Sequence, residues 1–202
     1  MKRYILIILI LAVVQNLYSE NLNIKKCYSE SYKFEKNQNY KDSIRVLLPI
    51  YKKYPKGYTI ILRLAWLSYL NKKYSDAIKY YKKANKISIY SLEPKLGLTL
   101  VYLHIEKYIK VEEICGIILK TDYYNYYANL RLIYSLNYQK KYKDSYKIII
   151  KMLTIYPTNV KLLVELGKNY YAQKQFEKAF KTFYDVLILD PVNVTAKSYL
   201  FK

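Results

Sequence analysis

Residues 71–78 read NKKYSDAI, and close variants recur as NQNYKDSI from Asn37 and QKKYKDSY from Gln139. Lining these up puts an aromatic residue at Tyr40, Tyr74, Tyr108, Tyr142 and Phe176, every step 34 residues long. Three residues after each aromatic come Ser43, Ala77, Val111, Ser145 and Ala179. Fifteen after come Pro55, Ile89, Tyr123, Pro157 and Pro191. A fixed period of this length marks a chain built by stacking one supersecondary unit.

The unit reads as two helices joined by a polar turn. In residues 160–193, Leu163, Leu166 and Tyr170 keep helical spacing. After Gln173-Lys174-Gln175, so do Phe176, Ala179, Phe180, Phe183, Val186 and Leu187. Gly167 and Ala179 are small where two antiparallel helices must approach, and Asp190-Pro191 stops the second helix. The Asp of NKKYSDAI suits the positive end of the second helix's dipole. Scarce Gly (4) and Pro (5) in 202 residues also favour helices over turn-rich sheets.

At these residues the chain resembles the tetratricopeptide repeat family. Leu166-Gly167, Tyr170, Phe176, Ala179, Phe183 and Pro191 match its pattern, as do Leu64-Ala65, Tyr74, Ala77, Tyr81 and Ala84. The resemblance implies an all-α right-handed superhelical solenoid of five units, 24–57, 58–91, 92–125, 126–159 and 160–193. Residues 194–202 are expected to form a short capping helix. Three departures stand out. Glu30 occupies a normally apolar position, Pro49 is expected to kink the second helix of the first unit, and Thr99 and Val111 replace small residues. Pro94 fits the first turn of a helix.

The resemblance further implies a concave groove lined by the first helices. Its lining would be Leu62, Arg63, Trp66 and Tyr69, then Leu96, Leu100 and Leu103, then Tyr127, Leu130, Arg131, Tyr134 and Tyr138, then Lys161, Lys168 and Tyr171. Trp, Tyr and Arg dominate binding hot spots. Arg63 and Arg131 each sit inside Leu-Arg-Leu, two repeats apart. Either they fork onto carboxylates of a bound peptide, or they pair with an acid of a neighbouring unit. The tyrosine-rich run TDYYNYYANL (121–130) is read as junction packing, with stacking on a sugar or proline as the alternative.

The formal net charge is +20, yet only Arg3, Arg45, Arg63 and Arg131 among the 35 basic residues are arginine. Lys, Ile, Tyr and Asn share AT-rich codons, and the lysines are scattered, so the charge is read mainly as compositional. Residues 1–19 read as a secretory leader: Lys2-Arg3, an apolar run from Tyr4 to Val14, then a polar stretch. The run is short for a membrane span, and an uncleaved anchor is the alternative. Export to the periplasm or cell envelope is therefore expected, with no nucleic acid as partner. Self-association stays open.

No nucleotide, hydrolase or metalloprotease motif occurs, and lone His104 has no orienting partner in sequence. Cys27 and Cys115 have no metal spacing and read as small apolar residues. Neither cofactor nor metal nor catalysis is expected. The resulting reading is a non-enzymatic scaffold of the cell envelope that binds a peptide or protein in the groove. The alternative is a binder of cell-wall glycan or anionic polymer through Tyr and Lys, distinguished by its sensitivity to salt.

Overall fold

The computed structural model describes residue 21 and residues 23–201. The leader reading, residues 1–19, lies outside them. Helix α1 (23–36) is followed by α2 (Tyr40–Arg45), α3 (Leu48–Lys53), α4 (Tyr58–Leu70), α5 (Tyr74–Ile87), α6 (Glu93–His104) and α7 (Tyr108–Thr121). Then come α8 (Tyr126–Tyr138), α9 (Tyr142–Leu153), α10 (Val160–Ala172), α11 (Phe176–Leu189) and α12 (Val194–Leu200). The described residues contain no strand. The five aromatics of the recurring phrase are each the first residue of a second helix. The five residues three positions on, Ser43, Ala77, Val111, Ser145 and Ala179, have no exposed surface. Val111 and Thr99, which broke the expected pattern, are equally buried.

Each turn between paired helices has the same backbone. Gln38, Lys72, Glu106, Lys140 and Lys174 all have φ between 57° and 61°. The next residue's N–H donates back across the turn to the third-last residue of the first helix, as in Lys73 to Ser68 O (2.8 Å) and Lys141 to Leu136 O (2.9 Å). A shorter bond nests inside each, as in Lys72 to Tyr69 O (2.9 Å). This is the Schellman ending, which satisfies carbonyls that a helix end would orphan. Glycine usually holds the left-handed position, and a side chain there costs roughly 1–2 kcal/mol. The opposite loops carry a second 34-residue signal that the phrase alignment missed. Asn125, Asn159 and Asn193 cap α8, α10 and α12 by accepting from Ala128 N (3.0 Å), Leu162 N (3.1 Å) and Ala196 N (2.9 Å).

The chain forms two compact units, one ending at Tyr90 and one beginning at Ser91. In the first, Leu47, Ile50, Ile60, Ile61, Leu64, Leu67 and Ala84 form the core. Pro49 does more than kink its helix: α2 ends at Arg45, and α3 restarts with the proline in its first turn. A proline ring clashes with the carbonyl four residues earlier and offers it no N–H, so the chain breaks there. In the second unit small cores follow one another along the chain. They centre on Val111, Cys115 and Ile118; on Ile133, Ile149 and Met152; and on Ala179, Phe183 and Val186. Each is closed by the next helix along the chain, α8, α10 and α12 in turn, in the neighbour-to-neighbour manner of repeat proteins. Pro94 stands in the first turn of α6, as expected. α12 packs against α11, with Tyr199 stacked on Phe183 at 4.7 Å.

Both cysteines are free thiols. Burial pushes the Cys115 thiol up to about 12, against the opposing pull of Arg131 and with a smaller push from Glu112. Reactivity needs the thiolate. Iodoacetamide at pH 8 should therefore label half-buried Cys27 and leave Cys115 untouched until denaturant is added, a pattern read directly by peptide mass spectrometry. Labelling of Cys115 in the native protein would contradict this packing.

Candidate functional site

In the unit ending at Tyr90, α4 presents the four candidates. Leu62 packs against the core, while Trp66 is 37% exposed and donates its indole N–H to Glu35 Oε1 at 2.7 Å. Tyr69 lies 5.7 Å from the Trp66 ring, centroid to centroid. Arg63 is only 9% exposed. Its guanidinium forms an ion pair with Glu35, donates to Ser31 Oγ (3.3 Å) and lies over the Tyr32 ring at 3.8 Å. Of the two readings of this arginine, the structure supports pairing with a neighbouring unit's acid. Arg63 is a strut between α1 and α4 rather than an open ligand contact.

In the unit beginning at Ser91, α6, α8 and α10 lie side by side. Leu100, Tyr134 and Lys168 hold one repeat register and are each partly exposed. Lys168 pairs with Glu165 (2.8 Å), and Asn137 donates to the other oxygen of the same carboxylate (2.8 Å). Glu165 itself is buried. Burial, reinforced by Glu165, pushes the Tyr134 hydroxyl up to about 12, so it remains a neutral donor. Arg131 donates to Leu96 O and to Thr99 Oγ1 (3.0 Å), with its guanidinium 5.6 Å from the Tyr127 ring. It too braces one first helix against the previous one.

The remaining candidates separate. Leu103 packs into the Val111 core, and Leu130 is a core residue, 6% exposed, so it does not line a groove. Tyr127 and Tyr138 are open at 58% and 68%. Tyr138 stacks on Tyr108 at 5.3 Å, toward the turn end of α8. Tyr171 is enclosed by Phe176 (5.1 Å), Phe180 (6.4 Å) and Tyr199 (4.8 Å), so its ring serves the α10–α11–α12 junction. Lys161 is exposed near the start of α10.

The tyrosine run divides between its two readings. Tyr126 packs on Tyr156 (5.5 Å) and donates to Asn159 (3.2 Å), a junction contact. Tyr123 and Tyr124 stay half exposed, and the Lys151 ammonium sits 4.0 Å from the Tyr123 centroid. His104 is exposed in the last turn of α6. No group of three or more His, Cys, Asp or Glu that could hold a metal occurs among the described residues. None of the described helices is long and apolar enough to cross a membrane.

Paired helices in 34-residue register, Schellman turns and small residues at the crossings define the class: the chain has the tetratricopeptide-repeat fold. Solved structures agree. MamA 41-end from Desulfovibrio magneticus RS-1 aligns over 85% of this chain and 97% of its own, with TM-score 0.74 and 13% identity. A second MamA crystal structure aligns over 80% and 94%, with TM-score 0.70 and 17% identity. YrrB, described as a TPR protein with an unusual peptide-binding site, aligns over 91% and 95%, with TM-score 0.69 and 11% identity. No family model and no curated protein sequence matches the chain.

Proposed function

We propose that the protein is a non-catalytic scaffold that holds a segment of a partner protein on the first-helix face of α6, α8 and α10. The observation that carries this is the row Leu100, Tyr134, Lys168, one side chain per repeat in a single register. An extended segment laid across it would bury apolar side chains against Leu100 and Tyr134. Lys168, 38% exposed beside Glu165, would receive a carboxylate. The peptide-binding site named for YrrB, a protein of the same fold, supports the reading. The leader pattern of residues 1–19 is the support for placing that partner in the cell envelope.

Capture from envelope extract tests it. Wild type should retain a protein that Leu100→Ala/Tyr134→Ala/Lys168→Ala loses by tenfold or more, a hot-spot effect of about 1.4 kcal/mol or above. The triple variant should keep the wild-type circular dichroism. Equal retention of every bound protein by both forms would remove the groove reading.

A further inference from the structure

At the turns between paired helices the chain breaks two local rules at once. Lysine holds the left-handed position at Lys72, Lys140 and Lys174, where Gly or Asn is favoured. Lysine also holds the cap position of α5, α7 and α9, at Lys73, Lys107 and Lys141, with no capping side chain. Asn39 occupies the same cap with nearly the same backbone, φ −87° and ψ 70°, and does cap α2. Codon composition explains lysine in general but not lysine in place of asparagine, whose codons are equally AT-rich. Asparagine caps three other helices of this chain. Lys141 gains an ion pair with Glu112 (2.9 Å); residues that break a local rule without such a local gain point to a function.

In the unit beginning at Ser91 these turns stand in line. α6, α8 and α10 pack in sequence, at the roughly 8–10 Å spacing of contacting helices. Lys107, Lys140, Lys141 and Lys174 therefore step along one edge, joined by Lys110 and Lys143. A concavity of about 330 Å³ opens there, lined by Lys140, Lys141, Tyr142, Lys143, Asp144 and Gln173. The acids of this edge are Glu106, Glu112, Glu113, Asp144 and Glu177. Glu112 pairs with Lys141, Glu113 with Lys110, and Asp144 with Lys147. Lys107, Lys140, Lys143 and Lys174 are exposed and have no carboxylate of the described residues within ion-pair distance.

We infer that this turn edge binds a linear polymer of repeated phosphate charges. Regularly stepped point charges suit a chain of phosphates better than a single carboxylate, for which arginine forks would serve. The lysine-lined concavity favours a polymer seated between two turns over a flat lipid surface.

The test uses the full chain and long-chain inorganic polyphosphate, at low and at moderate salt. In Lys107→Asn/Lys140→Asn/Lys141→Asn/Lys174→Asn, every substitution places asparagine where the backbone favours it. The variant should melt no lower than wild type, yet bind polyphosphate about tenfold or more weakly and with a shallower salt dependence. Lys120→Asn/Lys161→Asn/Lys181→Asn/Lys197→Asn removes the same charge away from the edge and should lose far less. Lys140→Gln/Lys143→Gln/Lys174→Gln, which leaves the helix caps alone, should weaken binding as well. Equal loss in the edge and off-edge variants would reduce the effect to net charge and overturn the proposal. So would no polyphosphate binding by wild type, or edge-dependent binding to phosphatidylglycerol vesicles with none to the polymer. The edge variant should still capture the groove partner, so the two readings fail separately.

Discussion

Gly167→Ala should destabilise the protein by about 2 kcal/mol, while Gly116→Ala, the same change in another helix, should stabilise it by up to about 1 kcal/mol. Alanine is better than glycine in a helix interior by roughly that last amount. At Gly116 a new Cβ would meet nothing within 4 Å, so the propensity gain is all that remains. At Gly167 it would lie 2.6 Å from Phe183 Cε1 and 2.8 Å from Cζ. That ring has nowhere to go: Phe183 is fully buried and stacked on Tyr199. Overpacking of a tight core costs about 1–3 kcal/mol or more, which outweighs the helix gain. Phe183→Leu should relieve it. Gly167→Ala/Phe183→Leu should be more stable than the sum of the single changes by at least ~1 kcal/mol, the signature of direct contact. Thermal unfolding of the four proteins measures the cycle. A stabilising Gly167→Ala would mean that α10 and α11 do not approach so closely.

The close approach was legible from Gly167 alone, because glycine inside a helical pattern needs a packing reason. Its partner was less so. The register equivalents of the Gly167/Phe183 pair are Ser31/Leu47, Ala65/Tyr81, Thr99/Cys115 and Ile133/Ile149. The volume is divided differently in each repeat, so each position alone looks irregular. That is why Thr99 reads as a departure although it is fully buried. The helices, their turns and the terminal α12 could be read from periodicity, since apolar spacing and the aromatic phrase both report local structure. The asparagine caps could have been read too, because 125, 159 and 193 share the 34-residue step.

The candidate site was legible only in part, because a helix face depends on what packs beside it. Leu130 and Tyr171 follow the groove register but turn into the α8–α9–α10 core and the α10–α11–α12 junction respectively. Glu165 was overlooked, although it stands 34 residues after Arg131 and so holds the same register with opposite charge. Its meaning comes from Asn137 and Lys168, which the sequence does not place beside it.

Arg63 gives the largest expected loss in the unit ending at Tyr90. Arg63→Ala should cost about 3 kcal/mol, and Arg63→Lys should recover less than half of that. Removing one partner of a buried pair typically costs about 3–5 kcal/mol, and the lower end applies because Glu35 is 22% exposed. Lysine restores a charge but not the stacked plane over Tyr32, nor the simultaneous reach to Glu35 and Ser31. Glu35→Gln should cost less than Arg63→Ala, since the amide oxygen can still accept from either Trp66 or Arg63, whose bonds go to different oxygens of the carboxylate. Hydrogen exchange locates the effect: amides of α1 and α4 should lose protection first. A ligand-holding arginine behaves differently. Its removal leaves melting and exchange unchanged and abolishes capture of the partner. Unchanged exchange in Arg63→Ala would therefore return this residue to the binding face, whereas early opening of α1 establishes it as the strut that ties the first helix to the fold.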